Sequence, residues 1–419
     1  MKIAVVGAGV VGITTAHELA RDGHEVTVFE RRNAAAEESS FANAGVVAPG
    51  YVTPWAAPGM PWKVLKQMWG RHASVRLGKL SGADMAWLWR WWRACRPDTY
   101  KANRASMQQL ALYSRERLHH IVADLKLDYD RSDGYMVLLR SEADRALIDT
   151  SLAVLRDAGV AFAQLGPDAA RKLEPGLNPG TDFHAAIHLP QDEVGNCRQF
   201  ALLLKNECQR RGVAFEFGTT VSRVETGKGI RLHLQGAGPG DGTARDFDAA
   251  VACAGLGSAQ LLKPLGLKLP MAAVYGYSVS APVREALNAP RSSVMDERYK
   301  VAISRLGNRV RVAGSAELGG SPAQHRAASI RTLYKVLHDW FPGGVTLSSG
   351  VQVWKGARPM LPDGPPVIAP GGHPGLWLNL GHGSSGWALS CGSARALADL
   401  VAGKSPDVDV GNFGLGRLA

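Results

Sequence analysis

What the 419-residue chain lacks narrows its class first. No run of about 18 apolar residues occurs, so no helix is expected to span a bilayer. The five cysteines, Cys95, Cys197, Cys208, Cys253 and Cys391, show no CxxC spacing, which argues against a disulfide framework or a zinc site and fits a reducing compartment. The histidines show no metal-ligand spacing, and His119-His120 reads as a solvated pair on a polar helix, so no metal is expected. Acid is scarce in one place. Between Trp55 and Arg96 only Asp84 opposes Lys63, Lys66, Arg71, Arg76, Lys79, Arg90, Arg93 and Arg96, within a net charge of +11. Trp55, Trp62, Trp69, Trp87, Trp89, Trp91 and Trp92 lie in the same stretch. Three readings stay open: a surface for anionic lipid, a core with a solvated basic face, or, least favoured, a stacking platform for single-stranded nucleic acid. No nucleic-acid partner is expected. The expected location is cytoplasmic, with peripheral attachment to the inner face of the cytoplasmic membrane if that stretch meets lipid.

What is present is clearest at the start of the chain. Ile3 to Val6 is a short apolar run of the kind buried on both faces of a sheet. Gly7, Gly9 and Gly12 follow at GxGxxG spacing, then a helix-period segment stopped by Asp22-Gly23, then a second strand ending in Glu30. Gly7 permits the tight turn, Gly9 the approach of a pyrophosphate, and Gly12 close packing of helix on strand. The helix start offers free N–H groups and partial positive charge, and Glu30 is placed for ribose hydroxyls. A secretory signal is the rival reading of Lys2 and the apolar run, but it leaves the glycine spacing and Glu30 unexplained. The pattern predicts a bound dinucleotide.

Downstream, FEFGTTVSRVE, IRLHL and DFDAAVACAG read as strands, the last two joined by the glycine-rich loop Gln235 to Arg245, with Ala250 to Ala254 returning beside the cofactor near Gly255. Strands at 271–316 are too many for a nucleotide domain alone. The expected fold class is therefore α/β: a Rossmann-type, glutathione-reductase-like dinucleotide domain with a β-meander, interleaved with a mixed-sheet α+β substrate domain. Residues 1–52, 190–268 and 350–419 are assigned to the first and 53–189 and 269–349 to the second. A further strand, glycine loop and helix, LNLGHGSSGWALSCGS, closes the chain. A nicotinamide enzyme seldom needs it. A flavin enzyme can use a helix start near Gly386 to stabilise negative charge on the N1–C2=O edge. Gly381, Gly383 and Gly386 permit close approach, and His382 reads either as an added charge or as a loop-fixing hydrogen bond.

These segments, with FANAGVVAPGYVTPWAAPGMP, LPQDEVGNC, YGYSV, KVAISRLGNRVRVAGSAE and WKGARPMLPDGPP, resemble over the whole length the FAD-dependent D-amino-acid dehydrogenases of bacteria, within the D-amino-acid oxidase and glycine oxidase group. The resemblance implies FAD, oxidative deamination of a D-amino acid to a 2-oxo acid and ammonia by hydride transfer to flavin N5, and electrons passed to a respiratory quinone-type acceptor. It places Arg358 on the substrate carboxylate, a role suited to a planar, always-charged fork; a structural ion pair is the alternative. Tyr277 reads either as a hydroxyl for the same carboxylate or as a packed strand residue. Cofactor contacts are implied at Gly7, Gly9, Val10, Val11, Gly12, Glu30, Arg31, Ser39, Ser40, Asn43, Ala44, Gly45, Val221, Ala254, Gly255, Gly356, Gly381, His382, Gly383, Ser384, Ser385 and Gly386. Gly356 to Leu361 contains no cysteine, so the FAD is expected to be non-covalent.

The chain departs from the family at Ser384-Ser385 and Ala388 in the glycine loop, at Leu361 and in the return strand, which leaves the substrate range open and makes D-proline-type substrates plausible. A soluble glycine or sarcosine oxidase producing peroxide is the second enzyme reading. A non-catalytic FAD-binding partner subunit is the third.

Overall fold

A computed structural model describes residues 1–67, 70, 72–146, 148–236 and 242–418. Lys2–Val6 is central because Ile3, Ala4, Val5 and Val6 are all buried. It pairs in parallel with Glu25–Glu30 on one side and with Ala249–Ala252 on the other. Ala214–Phe217 and Leu376–Leu380 extend this parallel sheet, and antiparallel Val367–Pro370 closes it. Helices Val10–Arg21, Pro97–Leu125, Cys197–Arg210 and Gly386–Val401 cover one face through Ile13, Leu19, Leu110, Phe200 and Leu397. The antiparallel meander Thr219–Thr226, Ile230–Gly236 and Ala244–Phe247 covers the other through Val224, Leu232 and Leu234.

Two runs that read as single strands are each divided between sheets. Gly218, at φ +66°, separates Ala214–Phe217 from the meander. Asp248 separates Ala244–Phe247 from Ala249–Ala252: its carboxylate accepts the Lys2 N–H at 2.6 Å and its own N–H reaches the Lys2 carbonyl. The predicted loop between the meander strands includes residues 237–241, which lie outside the described residues.

The second sheet is mixed. In order it runs Gln352–Met360, Ala272–Pro282, Arg309–Leu318, Val301–Leu306, Ser293–Asp296, Arg131–Leu139, Ala185–Gly195 and Val46–Val47. One face packs on helix Ala327–Trp340 through Leu333, Val336, Leu337 and Trp340. Gly276, Ala302, Ala313 and Gly314 line a cavity against the parallel sheet. Small side chains there leave space where larger ones would close it. Together these layers form a Rossmann-type sheet with a meander, interleaved with a mixed sheet.

The tryptophan stretch resolves into two helices, Met60–Gln67 and Gly82–Ala94. Trp87 and Trp91 are core, stacked 6.5 Å apart above Ala272, Val274 and Leu318. Trp62, Trp89 and Trp92 are 54 to 61% exposed. The stretch therefore has both a core and an outward aromatic face. Trp69 and Arg71 lie outside the described residues. Among the described residues, no helix is long and apolar enough to cross a membrane.

Candidate active site

The two sheets enclose a cavity of about 870 Å³, toward the upper end of small-ligand sites at about 300–1,000 Å³. The chain enters it through the first glycine turn. Gly7 has φ +108°, and a Cβ there would stand 2.7 Å from the Cys253 carbonyl oxygen. A Cβ on Gly12 would fall 1.9 Å from the Gly7 carbonyl oxygen, so Gly12 serves helix packing and lies behind the cavity wall. Helix Val10–Arg21 carries no cap of its own; the Ser40 hydroxyl accepts the Val10 N–H at 3.1 Å from another loop. The Glu30 carboxylate accepts from the N–H groups of Ala8 and Arg32, each at 2.8 Å, and keeps lone pairs for a further donor. Burial raises its pKa against those two hydrogen bonds. The helix start, the glycine approach and the acid at the strand end lie together on one wall. They fit a dinucleotide with a pyrophosphate and a ribose.

The loop after Glu30 is pinned to the larger sheet. Ser39 donates to the Ala357 carbonyl at 2.6 Å, Asn43 accepts the Gly45 N–H, and the Asn43 carbonyl accepts from Arg311 at 3.0 Å. Arg31 spends its guanidinium on Glu38. Apart from Gly12, the structure brings every residue that the sequence assigned to the cofactor to this one cavity, including Val221, Ala254, Gly255, Gly356 and Gly381 to Gly386. Helix Gly386–Val401 also points its start there without a side-chain cap.

Arg358 lies on the edge strand Gln352–Met360 and faces the cavity. Its Nη1 donates to the Ser315 carbonyl at 3.1 Å, and its guanidinium stands 5.7 Å from the Trp55 ring centre. Among the described residues no carboxylate pairs with it. Burial alone brings its pKa down to about 10, so it remains a cation near neutral pH. A half-buried cation that no carboxylate among the described residues neutralises is costly unless an anion joins it. Two features unread in the sequence place this group. Gly276 leaves the room the guanidinium occupies: a Cβ there would be 2.3 Å from Nη2. Opposite Gly276 the pairing of Tyr275 with Glu317 shifts to Tyr277 with Gly314, a bulge containing Ser315 at φ +63°. The YGY spacing is visible in sequence; the bulge carries no sequence signal of its own.

Two assigned side chains serve other ends. Tyr277 pairs with Lys355, out of phase with Gly356 and Arg358 along the neighbouring strand, so it projects to the opposite face. Its hydroxyl donates to Glu317 and accepts the Arg326 N–H at 3.1 Å. Of the two readings of Tyr277, this placement fits the packed strand tyrosine and not the carboxylate contact: the residue borders the cavity, but its hydroxyl is held on the far face. His382 is 4% exposed and shares a 3.0 Å hydrogen bond with Ser393. Burial brings its pKa down to about 3, so it is neutral near pH 7 and fixes the loop rather than adding charge. Cys253 borders the cavity, but its thiol points to Thr15 at 3.8 Å and burial pushes it up to about 12. Among the described residues no cluster of three or more His, Cys, Asp or Glu could hold a metal ion.

Comparison with known proteins agrees with this geometry. Residues 2–400 match the family model DAO, FAD dependent oxidoreductase. The chain is 43% identical over 423 residues to the D-amino acid dehydrogenase of Bradyrhizobium diazoefficiens, covering 100% of this chain and 99% of the relative. It is also 43% identical to that of Cereibacter sphaeroides over 422 residues, covering 100% and 96%. Among solved structures, glycine oxidase from Geobacillus kaustophilus superposes with a TM-score of 0.78 at 21% identity, over 99% of this chain and 98% of that one. L-proline dehydrogenase from P. horikoshii gives 0.74 at 16%, over 100% and 97%. At these identities the structures speak for the fold alone.

Proposed function

The chain belongs to the FAD dependent oxidoreductase family, and within it we propose that it oxidises D-amino acids to 2-oxo acids and ammonia, with a respiratory quinone as electron acceptor. The observation that carries this reading is the unpaired Arg358 guanidinium inside the cavity. The residues gathered on the glycine wall would hold FAD without a covalent bond, and the bound group would supply the acceptor for the hydride from Cα; water then hydrolyses the imine left on the substrate. Arg358 grips the substrate carboxylate through two parallel N–H bonds and so fixes Cα. The Ser315 carbonyl orients the guanidinium and Gly276 leaves it room. His382 and Ser393 hold the loop before helix Gly386–Val401, whose free N–H groups meet negative charge. No side chain is needed as a base when the amine binds unprotonated; catalysis is then mainly positioning.

In this reading residues 1–52, 190–268 and 350–419 carry the cofactor, 53–189 and 269–349 cover the substrate, and the enzyme works at the inner face of an anionic membrane. The altered loop Ser384-Ser385 keeps D-proline and its relatives within the substrate range. The experiment is anaerobic: the yellow protein is mixed with D- and L-amino acids, prolines, glycine and sarcosine, and the visible band is followed. Bleaching by D-substrates, with slow recolouring in oxygen and fast recolouring by a quinone, is expected. Bleaching by glycine or sarcosine alone, with rapid recolouring in oxygen, would favour the peroxide-forming oxidase. Absence of bleaching by every substrate would favour the partner subunit.

A further inference from the structure

Helix Met60–Gln67 has two faces with different neighbours. Met60, Lys63 and Val64, at helical spacing, line the cavity. Trp62, Leu65 and Lys66 point the other way; Trp62 is 61% and Leu65 52% exposed, and the Lys66 ammonium stands 5.3 Å from the Trp62 ring centre. From Met60 to Lys66 no residue is buried, although Met60 and Val64 touch the same cluster as Trp87 and Trp91. A helix in which no side chain from Met60 to Lys66 is buried is held weakly, since so short a helix is not stable alone. Gly59, just before it, has φ +77° and nothing within 4 Å of where a Cβ would stand.

Helix Gly82–Ala94 has an exposed aromatic face of its own. Met85, Trp89 and Trp92 recur at helical spacing and are all more than half exposed, with the two indoles 5.0 Å apart. They lie opposite the buried Trp87, Trp91 and Ala94. Arg93 and Arg96 are exposed beside them, and the one acid of the stretch, Asp84, is turned to its own Ser81 in a capping box. Indoles next to cations that form no ion pair among the described residues, on a chain of net charge +11, complement a surface that is apolar below and anionic above.

We propose that Trp62, Leu65, Trp89 and Trp92 dock on an anionic phospholipid bilayer, and that helix Met60–Gln67 is the port through which a lipid-soluble quinone reaches the cavity. The inference rests on the quinone reading above. Its redox balance is closed: the amino acid loses two electrons and two protons in becoming the imine, and the quinone gains both pairs in becoming the quinol. The helix at the bilayer is also a cavity wall, so the acceptor need not cross water.

The test uses the holoenzyme with phosphatidylcholine vesicles, with or without phosphatidylglycerol, carrying a long-chain quinone. Co-sedimentation is read beside D-amino-acid turnover with that quinone and with a small water-soluble dye. The wild type is expected to sediment only with the anionic vesicles. Trp62→Ser/Leu65→Ser and Trp89→Ser/Trp92→Ser are expected to weaken vesicle binding by about tenfold or more, on the burial lost, and to slow the quinone reaction without changing the dye reaction. Val64→Trp fills the port from inside; it is expected to slow quinone more than dye at unchanged vesicle binding. If the wild type binds no vesicle but still reduces short soluble quinones, the docking face is overturned and the quinone reading stands. If neither quinone is reduced while the dye is, that reading fails with it. Vesicle binding that ignores both double variants overturns the face, and equal slowing of quinone and dye by Val64→Trp overturns the port.

Discussion

The Arg358 guanidinium occupies the space a side chain on Gly276 would need, with Nη2 2.3 Å from the position of the missing Cβ. Adjacent strands thus share one volume: glycine on Ala272–Pro282 lets arginine on Gln352–Met360 lie flat against the sheet. Gly276→Ala should push the guanidinium off the Ser315 carbonyl and raise KM for D-amino acids by about 10- to 100-fold, matching loss of a charged hydrogen bond at about 1.5–3 kcal/mol. FAD content should stay at the wild-type level. Steady-state kinetics with the visible spectrum measure both, and an unchanged KM would show that Arg358 has room to spare.

Glu30 is already the acceptor for two backbone donors before any ligand arrives. Glu30→Gln must turn an amide NH₂ toward Ala8 N–H or Arg32 N–H, and a donor left unpaired there costs about 1–3 kcal/mol. FAD affinity should fall about tenfold or more, read by titrating the apoprotein and following flavin fluorescence. Equal affinity would place the adenosine away from Glu30.

Acid sensitivity follows from buried histidines. Burial lowers the pKa of His382 to about 3 and of His17 to about 4, from 6.5 in the unfolded chain. Between those values the unfolded chain binds a proton that the folded chain does not. Each histidine then makes stability rise with pH, by up to about 1.4 kcal/mol per pH unit. Asp192 works in reverse: burial raises it from 3.8 to about 7, so in that window the folded chain holds the extra proton and stability falls with pH. His382→Asn should therefore flatten the rise of unfolding free energy between about pH 4 and 6, and Asp192→Asn should steepen it. Urea unfolding across that range checks both signs. A slope unaffected by His382→Asn would mean that its ring is charged in the folded protein.

The legible part of the site was the part built from backbone. Gly7, Gly9 and Glu30 act through turn geometry, N–H groups and one carboxylate at a strand end, and their spacing alone conveys this. Side-chain direction was less legible. Tyr277 and Arg358 both belong to suggestive motifs, yet strand pleat puts them on opposite faces, and the bulge at Ser315 cannot be read from residue types. The tryptophans posed the same problem on a helix. Trp87, Trp89, Trp91 and Trp92 look like an alternating run, and only the helical turn sorts Trp87 and Trp91 inward from Trp89 and Trp92 outward. His382 reads either as an added charge or as a loop-fixing hydrogen bond, and its burial beside Ser393, invisible in sequence, makes it neutral and favours the second.

In the proposed reaction Arg358 takes the substrate carboxylate. The most direct measurement is anaerobic titration of the flavin spectrum with a D-amino acid and with the corresponding amine lacking the carboxylate, for the wild type and for Arg358→Ala. Arg358→Ala should keep its FAD and its response to the amine but bind the D-amino acid about 100-fold or more weakly, as loss of a bidentate charged pair requires. Equal affinity of both proteins for the D-amino acid would contradict that role.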